Sequence, residues 1–331
     1  MRRGCVKFAA HTVRELKQSR VQWGGVVATS TKRTAGVSSR QSYGSAAHRI
    51  LQAGLKEVRH WLPLAAKRCC DDDGENVHHL RVSTRRADAA ADAFSDLTNK
   101  GTVTALRKKL RQIRKAADAA RDVDVNTERF TPHVGKSSGA LRAKLHEKLC
   151  ALRKLAQIPL VQIHAELSDG KFADLSRTLL TELRTRRPKR AAQNYAKQAR
   201  GILKPALNKF FKAAQGDMSD DADIHRLRIQ AKKLRYTMEI VAPAFAPAFS
   251  GKLYRQFSWY QDILGAVRDH VIAMEALHKW LAKPCDAQER AFLQGLLTAE
   301  TLAHKESKDA FQTLWTKKTV EKLAEKFKEL T

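Results

Sequence analysis

Apolar residues recur every three to four positions from about residue 45 to the end of the chain, the signature of consecutive amphipathic α-helices. At about 100° per residue, Leu80, Thr84, Ala87 and Ala91 share one helix side. Leu106, Leu110, Ile113 and Ala117 do the same, as do Leu227, Ala231, Leu234 and Met238. These three stripes are the expected core faces of their helices. Gly, Pro, Asn and Asp interrupt the pattern at 71–74, 99–101, 131–135, 168–170, 186–188, 216–221, 243–251 and 283–284, where helices are expected to stop and restart. Asp73 and Asp220 suit N-cap or first-turn positions. That absorbs the acidic clusters 71–73 and 217–223, neither of which has the spacing of a calcium loop. The fold class these signals predict is all-α.

The pattern then repeats. Val77-His78-His79-Leu80-Arg81-Val82-Ser83-Thr84-Arg85-Arg86 aligns with Ile224-His225-Arg226-Leu227-Arg228-Ile229-Gln230-Ala231-Lys232-Lys233, an offset of 147 residues. The same offset carries Gly54-Leu55 to Gly201-Ile202, Leu106 to Leu253, Leu110 to Phe257 and Arg121-Asp122 to Arg268-Asp269. Equal spacing across separate helices predicts two homologous halves, 45–187 and 188–331. Residues 1–44 stand apart, with nine Lys or Arg, a single acid (Glu15) and many Ser, Thr and Gly. They read as a basic low-complexity tail expected to be disordered or to come from an over-extended start. Their composition also resembles an organellar transit peptide.

Composition sharpens the picture through charge. The 331 residues include 62 Lys or Arg against 34 Asp or Glu, a net +28. Such an excess is self-repulsive in a folded chain and calls for an anionic partner: a nucleic acid, a membrane surface or another polyanion. Hydrophobic residues reach 43%, enough for a sizeable core, while aromatics are only 7%. Cys5, Cys69, Cys70, Cys150 and Cys285 are odd in number and form no C-x-x-C pair, which argues against a disulfide framework or a zinc site and fits a reducing cytoplasm. No apolar run approaches the ~18 residues of a membrane span, and residues 1–20 lack the apolar core of a secretory signal.

The cations are ordered rather than scattered. His78, Arg81, Val82 and Arg85 point to one side of their helix, opposite the apolar stripe, with Arg86 on the flank; His225, Arg228 and Lys232 share a face with Tyr236, with Lys233 on the flank. Donors a helical turn apart on a rigid support suit a ladder of phosphates, Arg gripping oxygens in pairs and Lys acting as a point charge. Residues 106–117 add Arg107, Lys108, Lys109, Arg111, Arg114 and Lys115 without an acid, and at the repeat position of Lys108 stands Arg255. A single charge run of this kind is ordinarily a solvated helix face, with Asp118 and Asp122 as local partners of Arg114, Lys115 or Arg121. Its recurrence in both halves is what favours a binding role. Neither His78 nor His225 has a second ligand at i+3 or i+4, so zinc is not expected.

The H-x-x-R-x-x-x-[RK]-[RK] helix, present twice, and the two Arg-Asp pairs resemble the conserved histidine α-helical domain, CHAD. The likeness is fullest over Ile224–Tyr236 and Leu264-Gly265-Ala266-Val267-Arg268-Asp269, and runs from about residue 45 to the C-terminus. The resemblance implies two helical bundles related by a pseudo-twofold axis around a central basic pore or groove. It also implies non-enzymatic binding of inorganic polyphosphate, often on polyphosphate granules. By motif position it assigns that binding to His78, Arg81, Arg85, Arg86, His225, Arg228, Lys232 and Lys233, with Arg121 and Arg268 partly structural. Lys108, Arg111, Lys115 and Arg255 join the set on helix position alone. The chain departs from the pattern where Ala117-Asp118 replaces the Leu-Gly pair before the first Arg-Asp, so helix packing is expected to differ there.

Two other function classes compete. A nonspecific nucleic-acid binder fits the high pI, and weak salt-sensitive affinity for DNA is expected in any case; no recognised nucleic-acid motif or aromatic platform supports it. A phosphate-processing enzyme would need a carboxylate-held metal or an activated nucleophile, and no P-loop, H-E-x-x-H or G-x-S-x-G occurs. The expectation is therefore polyphosphate as partner, with no cofactor and no metal.

Overall fold

A computed structural model describes residues 36–67, 74–134, 139–186 and 188–331. Asp73 and Cys69-Cys70 lie outside these. The described residues form eleven α-helices: α1 Tyr43–Lys67, α2 Glu75–Ala93, α3 Lys100–Ala116, α4 Asp118–Val134, α5 Gly139–Leu167, α6 Lys171–Thr185, α7 Tyr195–Ala213, α8 Asp221–Val241, α9 Tyr254–Leu281, α10 Ala287–Leu314 and α11 Lys317–Leu330. No strand occurs among them, as the 3.6-residue periodicity requires.

Capping residues set several helix starts. The side chains of Asn99, Asn194 and Asp220 accept from the N–H two residues on, which opens α3, α7 and α8. Asp220 thus takes the cap role expected of it. Before α2, Gly74 sits at φ 77, a conformation that favours glycine; a Cβ there would also meet Asp124 at 2.8 Å. The stop is tight, and it presses the start of α2 against α4.

Most predicted interruptions separate helices, with two exceptions in the other direction. Trp315 and Thr316 part α10 from α11 without Gly or Pro, the Thr316 hydroxyl accepting from Thr319 N–H. Ala117 parts α3 from α4, whereas α9 runs unbroken through Leu264-Gly265. The packing difference expected at Ala117-Asp118 is therefore a helix break.

The core forms two regions. In the larger, the three predicted stripes are sealed: Leu80, Ala87, Leu106, Leu110, Ile113, Leu227, Leu234 and Met238 are each 0% exposed. Each buried Leu among them contributes roughly 2 kcal/mol. This region joins α1, α2, α3, the end of α5, α6, α7, α8, the first half of α9 and α11, with Ala120 of α4 and Phe311 of α10. The smaller lies at the far end of α4, α5, α9 and α10, around Phe130, Leu145, Leu277, Trp280 and Leu293.

The expected boundary at residue 45 moves. Tyr43 is buried, its hydroxyl donating to Ala93 O at 3.1 Å and Asp96 at 3.0 Å. Ser42 bridges to Asn194, so residues from 41 onward are tied to the start of α7. Residues 1–35 of the predicted tail lie outside the described residues.

Candidate functional site

Helix packing brings the two basic faces together. α2 packs against α8, α4 lies against α2, and α9 lies against α8 and α4. The apolar stripes of α2 and α8 face the core, His78, Arg81 and Arg85 lie on the opposite face of one and His225, Arg228 and Lys232 on that of the other, and the two sets meet through Arg85, which acts on both Arg228 and Lys232. Arg121 from α4 and Arg268 from α9 close the sides.

The electrostatics record that convergence. Burial, followed by Arg121, His79, Arg81 and Arg85, pushes the His78 imidazole down to about 3. Burial, then Arg228, Arg85 and Arg235, pushes the Lys232 ammonium down to about 6. Arg81 falls to about 10 through burial and Arg85, against the pull of Asp118. Burial is also the first cause lowering Arg228 and His225, with Arg268 acting on both. Arg85 and Lys232, at equivalent repeat positions, thus meet across the helix interface.

Acids answer only part of this charge. Arg81 Nη1 lies 2.6 Å from Asp118 Oδ1, a close ion pair whose atoms are not aligned as a hydrogen bond, since the buried Nη1 has no hydrogen-bond partner. Arg268 reaches Glu275 at 3.4 Å. Among the described residues no carboxylate lies within 4 Å of Arg85, Arg121, Arg228 or Lys232, and Arg228 Nε is buried without a hydrogen-bond partner. Half-buried cations in this state are unfavourable until an anion supplies the missing oxygens.

Not every predicted residue joins the cluster. Arg86 turns away from it, into a buried pair with Glu239 of α8: Nε to Oε2 at 2.5 Å and Nη2 to Oε1 at 3.1 Å. Tyr254 adds its hydroxyl to Glu239 at 2.6 Å. Arg86 sits one residue beyond Arg85, hence about 100° round the helix, which aims it at the α2–α8 contact. The Arg86 guanidinium, expected among the phosphate ligands, thus has Glu239 as its partner. Lys233, its repeat partner, is exposed. Lys108, Arg111, Lys115 and Arg255 are likewise exposed, and none figures among the charges acting on His78, Arg81, Arg228 or Lys232. From the same basic run it is Arg114 that comes in, feeling both Asp88 and Arg85. Arg235 and Tyr236 form the buried floor, the guanidinium lying 5.2 Å from the ring centroid.

The arrangement holds several fixed positive groups in a row, little acid, and no helix long and apolar enough to cross a membrane among the described residues. It can bind a chain of anions. Groups of three or more metal-ligating side chains are absent among the described residues.

Comparison with known proteins agrees with the fold. The sequence profile of the CHAD domain matches residues 49–278. The CHAD domain from the plant Ricinus communis superimposes with a TM-score of 0.65 at 23% identity, covering 84% of this chain and 93% of its own. PptA from Streptomyces chartreusis superimposes with a TM-score of 0.59 at 18% identity, covering 83% and 99%. No curated protein matches the sequence.

Proposed function

Because this chain belongs to the CHAD family, we propose that it binds inorganic polyphosphate, without acting on it chemically, at the cation cluster between α2 and α8. The observation that carries the reading is the meeting of Arg85, Arg228 and Lys232 with no carboxylate within 4 Å among the described residues. A polyphosphate chain brings closely spaced oxygens and no bases to read, and the cluster offers charge without an exposed stacking platform. Charge-assisted hydrogen bonds from Arg are the strong contacts of such a complex.

The same reading treats the chain as two related halves around a basic groove. The 147-residue offset supports it, since it lays α5 Gly139–Leu167 over α10 Ala287–Leu314 and α2 Glu75–Ala93 over α8 Asp221–Val241 to within a residue or two. The test is a titration of long-chain polyphosphate and of duplex DNA at matched charge in ~150 mM salt, where surface charge is well screened. Much tighter binding of polyphosphate supports the proposal. Equal binding of both polymers replaces it with general affinity for nucleic acid and other polyanions.

A further inference from the structure

The two sides of the cluster are not equivalent, and the difference traces to one position. Under the 147-residue offset Arg81 corresponds to Arg228 and Asp122 to Asp269, but Asp118 corresponds to Gly265. The helix break at Ala117 makes Asp118 the first residue of α4 and sets its carboxylate 2.6 Å from Arg81. On the other side α9 continues through Gly265, Asp269 attracts Arg228 without an ion pair within 4 Å among the described residues, and Arg228 Nε is buried without a hydrogen-bond partner. Asp122 and Asp269 attract Arg81 and Arg228 from beyond ion-pair distance, Asp269 being the largest charge acting on Arg228, so the asymmetry is one of close contact, which among the described residues Asp118 alone makes.

Taking the polyphosphate reading as its basis, we propose that Asp118 is a built-in counter-ion that occupies Arg81 until a polyanion displaces it, while Arg228 with Lys232 and Arg85 forms the open seat where phosphate binds first. The pair is suited to exchange. Asp118 is about half exposed (49%) while Arg81 is 14% exposed, so the carboxylate swings out into water more readily than the guanidinium leaves its site. The contact is short but not aligned as a hydrogen bond, so a phosphate oxygen that donors can point at competes well with it. A single carboxylate in this place also lowers the affinity of the cluster for stray anions that do not hold on at several points, a means of selecting long chains by opposing short ones.

Gly265 provides the reciprocal test, because a Cβ built there meets no atom within 4 Å. An acid can be installed at the repeat position of Asp118 without a steric clash, and within a helix Asp is no worse than Gly. Affinity for long-chain polyphosphate is measured for Asp118→Asn, Gly265→Asp and Gly265→Asn. Asp174→Asn, which removes an exposed acid paired with Arg177 on α6, gives the general effect of one lost negative charge. Asp118→Asn is expected to tighten binding about tenfold beyond that control, the worth of one charge-assisted hydrogen bond. Gly265→Asp is expected to weaken binding about as much, and Gly265→Asn to leave it near wild type.

If wild type binds polyphosphate but Asp118→Asn does no more than Asp174→Asn, Asp118 is no competitor and the inference fails while the functional reading stands. It fails equally if Gly265→Asp and Gly265→Asn bind alike. If wild type itself fails to bind, the functional reading fails first. Should Gly265→Asp melt before it can be assayed, Asp118→Asn alone decides the matter.

Discussion

Replacing Arg86 by Met separates scaffold from site. The substitution keeps length and apolar volume but leaves Glu239, whose side chain is 8% exposed, without the two guanidinium hydrogen bonds at 2.5 and 3.1 Å. Burial by itself disfavours the Glu239 carboxylate; Arg86, Arg235 and the Tyr254 hydroxyl outweigh it and hold its pKa below the ordinary value. Breaking a buried pair by removing one partner costs about 3–5 kcal/mol. Tyr254 and Arg235 remain, so the lower end applies, about 3 kcal/mol, or a fall in Tm of roughly 6 °C at about 2 °C per kcal/mol for a chain of this size. Adding Glu239→Gln removes the orphaned charge while keeping an acceptor for Tyr254, and should bring stability back to within about 1 kcal/mol of wild type. Urea and thermal unfolding followed by circular dichroism measure both variants. A single variant that loses less than about 1 kcal/mol, or a double no better than the single, would refute the structural role. So would a folded Arg86→Met protein that has lost polyphosphate affinity, since Arg86 would then belong to the site after all.

Lys232 makes binding pH-dependent. Its ammonium is held down to about 6 by burial and the neighbouring Arg228 and Arg85, so above that pH it is largely uncharged, and a bound polyanion favours the proton. Calorimetry in buffers of different protonation heat should show an uptake near one proton that Lys232→Met lacks, and affinity falling by up to about tenfold per unit as pH rises above 6. Without ligand the sign follows from the same shift: between about 6 and the ordinary lysine value the unfolded chain binds more protons, so stability falls as pH drops through that window. His78, held down to about 3, extends the fall from the ordinary histidine value toward pH 3, and a flat stability profile from pH 9 to 4 would contradict both assignments. Saturating polyphosphate, at about 100 times Kd, should stabilise the fold by about 2.7 kcal/mol, read as a rise in Tm of roughly 5 °C. Absence of any shift at that excess would mean that the folded form is not what binds.

The helices and their core stripes were legible because each follows from periodicity, and periodicity survives in a single sequence, whereas a shared basic groove was implied by the CHAD resemblance alone. The 147-residue offset carries further, since it pairs Arg85 with Lys232, which act on each other in the fold. What the sequence hid were consequences of angle and partner. Arg85 and Arg86 are adjacent letters, yet one helical step sends the first to the cluster and the second to Glu239, 153 residues away. Lys108, Arg111 and Lys115 looked equivalent to Arg114, but only Arg114 lies on the side of α3 that meets α2. In the structure Arg107, seven residues before Arg114 and on the same helix side, bonds to Asp88 at 2.7 Å and also to Asp92. Those two acids of α2 mark which flank of α3 faces inward. Ala117-Asp118 was visible as a departure from the repeat, though its effect, an acid delivered to Arg81, depended on where the new helix begins.

The most direct test of the converging cluster sets two triple variants side by side in a polyphosphate titration. One removes the converging cations, Arg85→Ala, Arg228→Ala and Lys232→Ala; the other removes the same formal charge from the outer face of α3, Lys108→Ala, Arg111→Ala and Lys115→Ala. The first is expected to lose at least about a hundredfold in affinity, three charge-assisted contacts at roughly 1–1.5 kcal/mol each, while the second stays within about threefold of wild type. Equal losses from both would contradict a localised site, and would show that the chain holds polyanions by net charge spread over its surface.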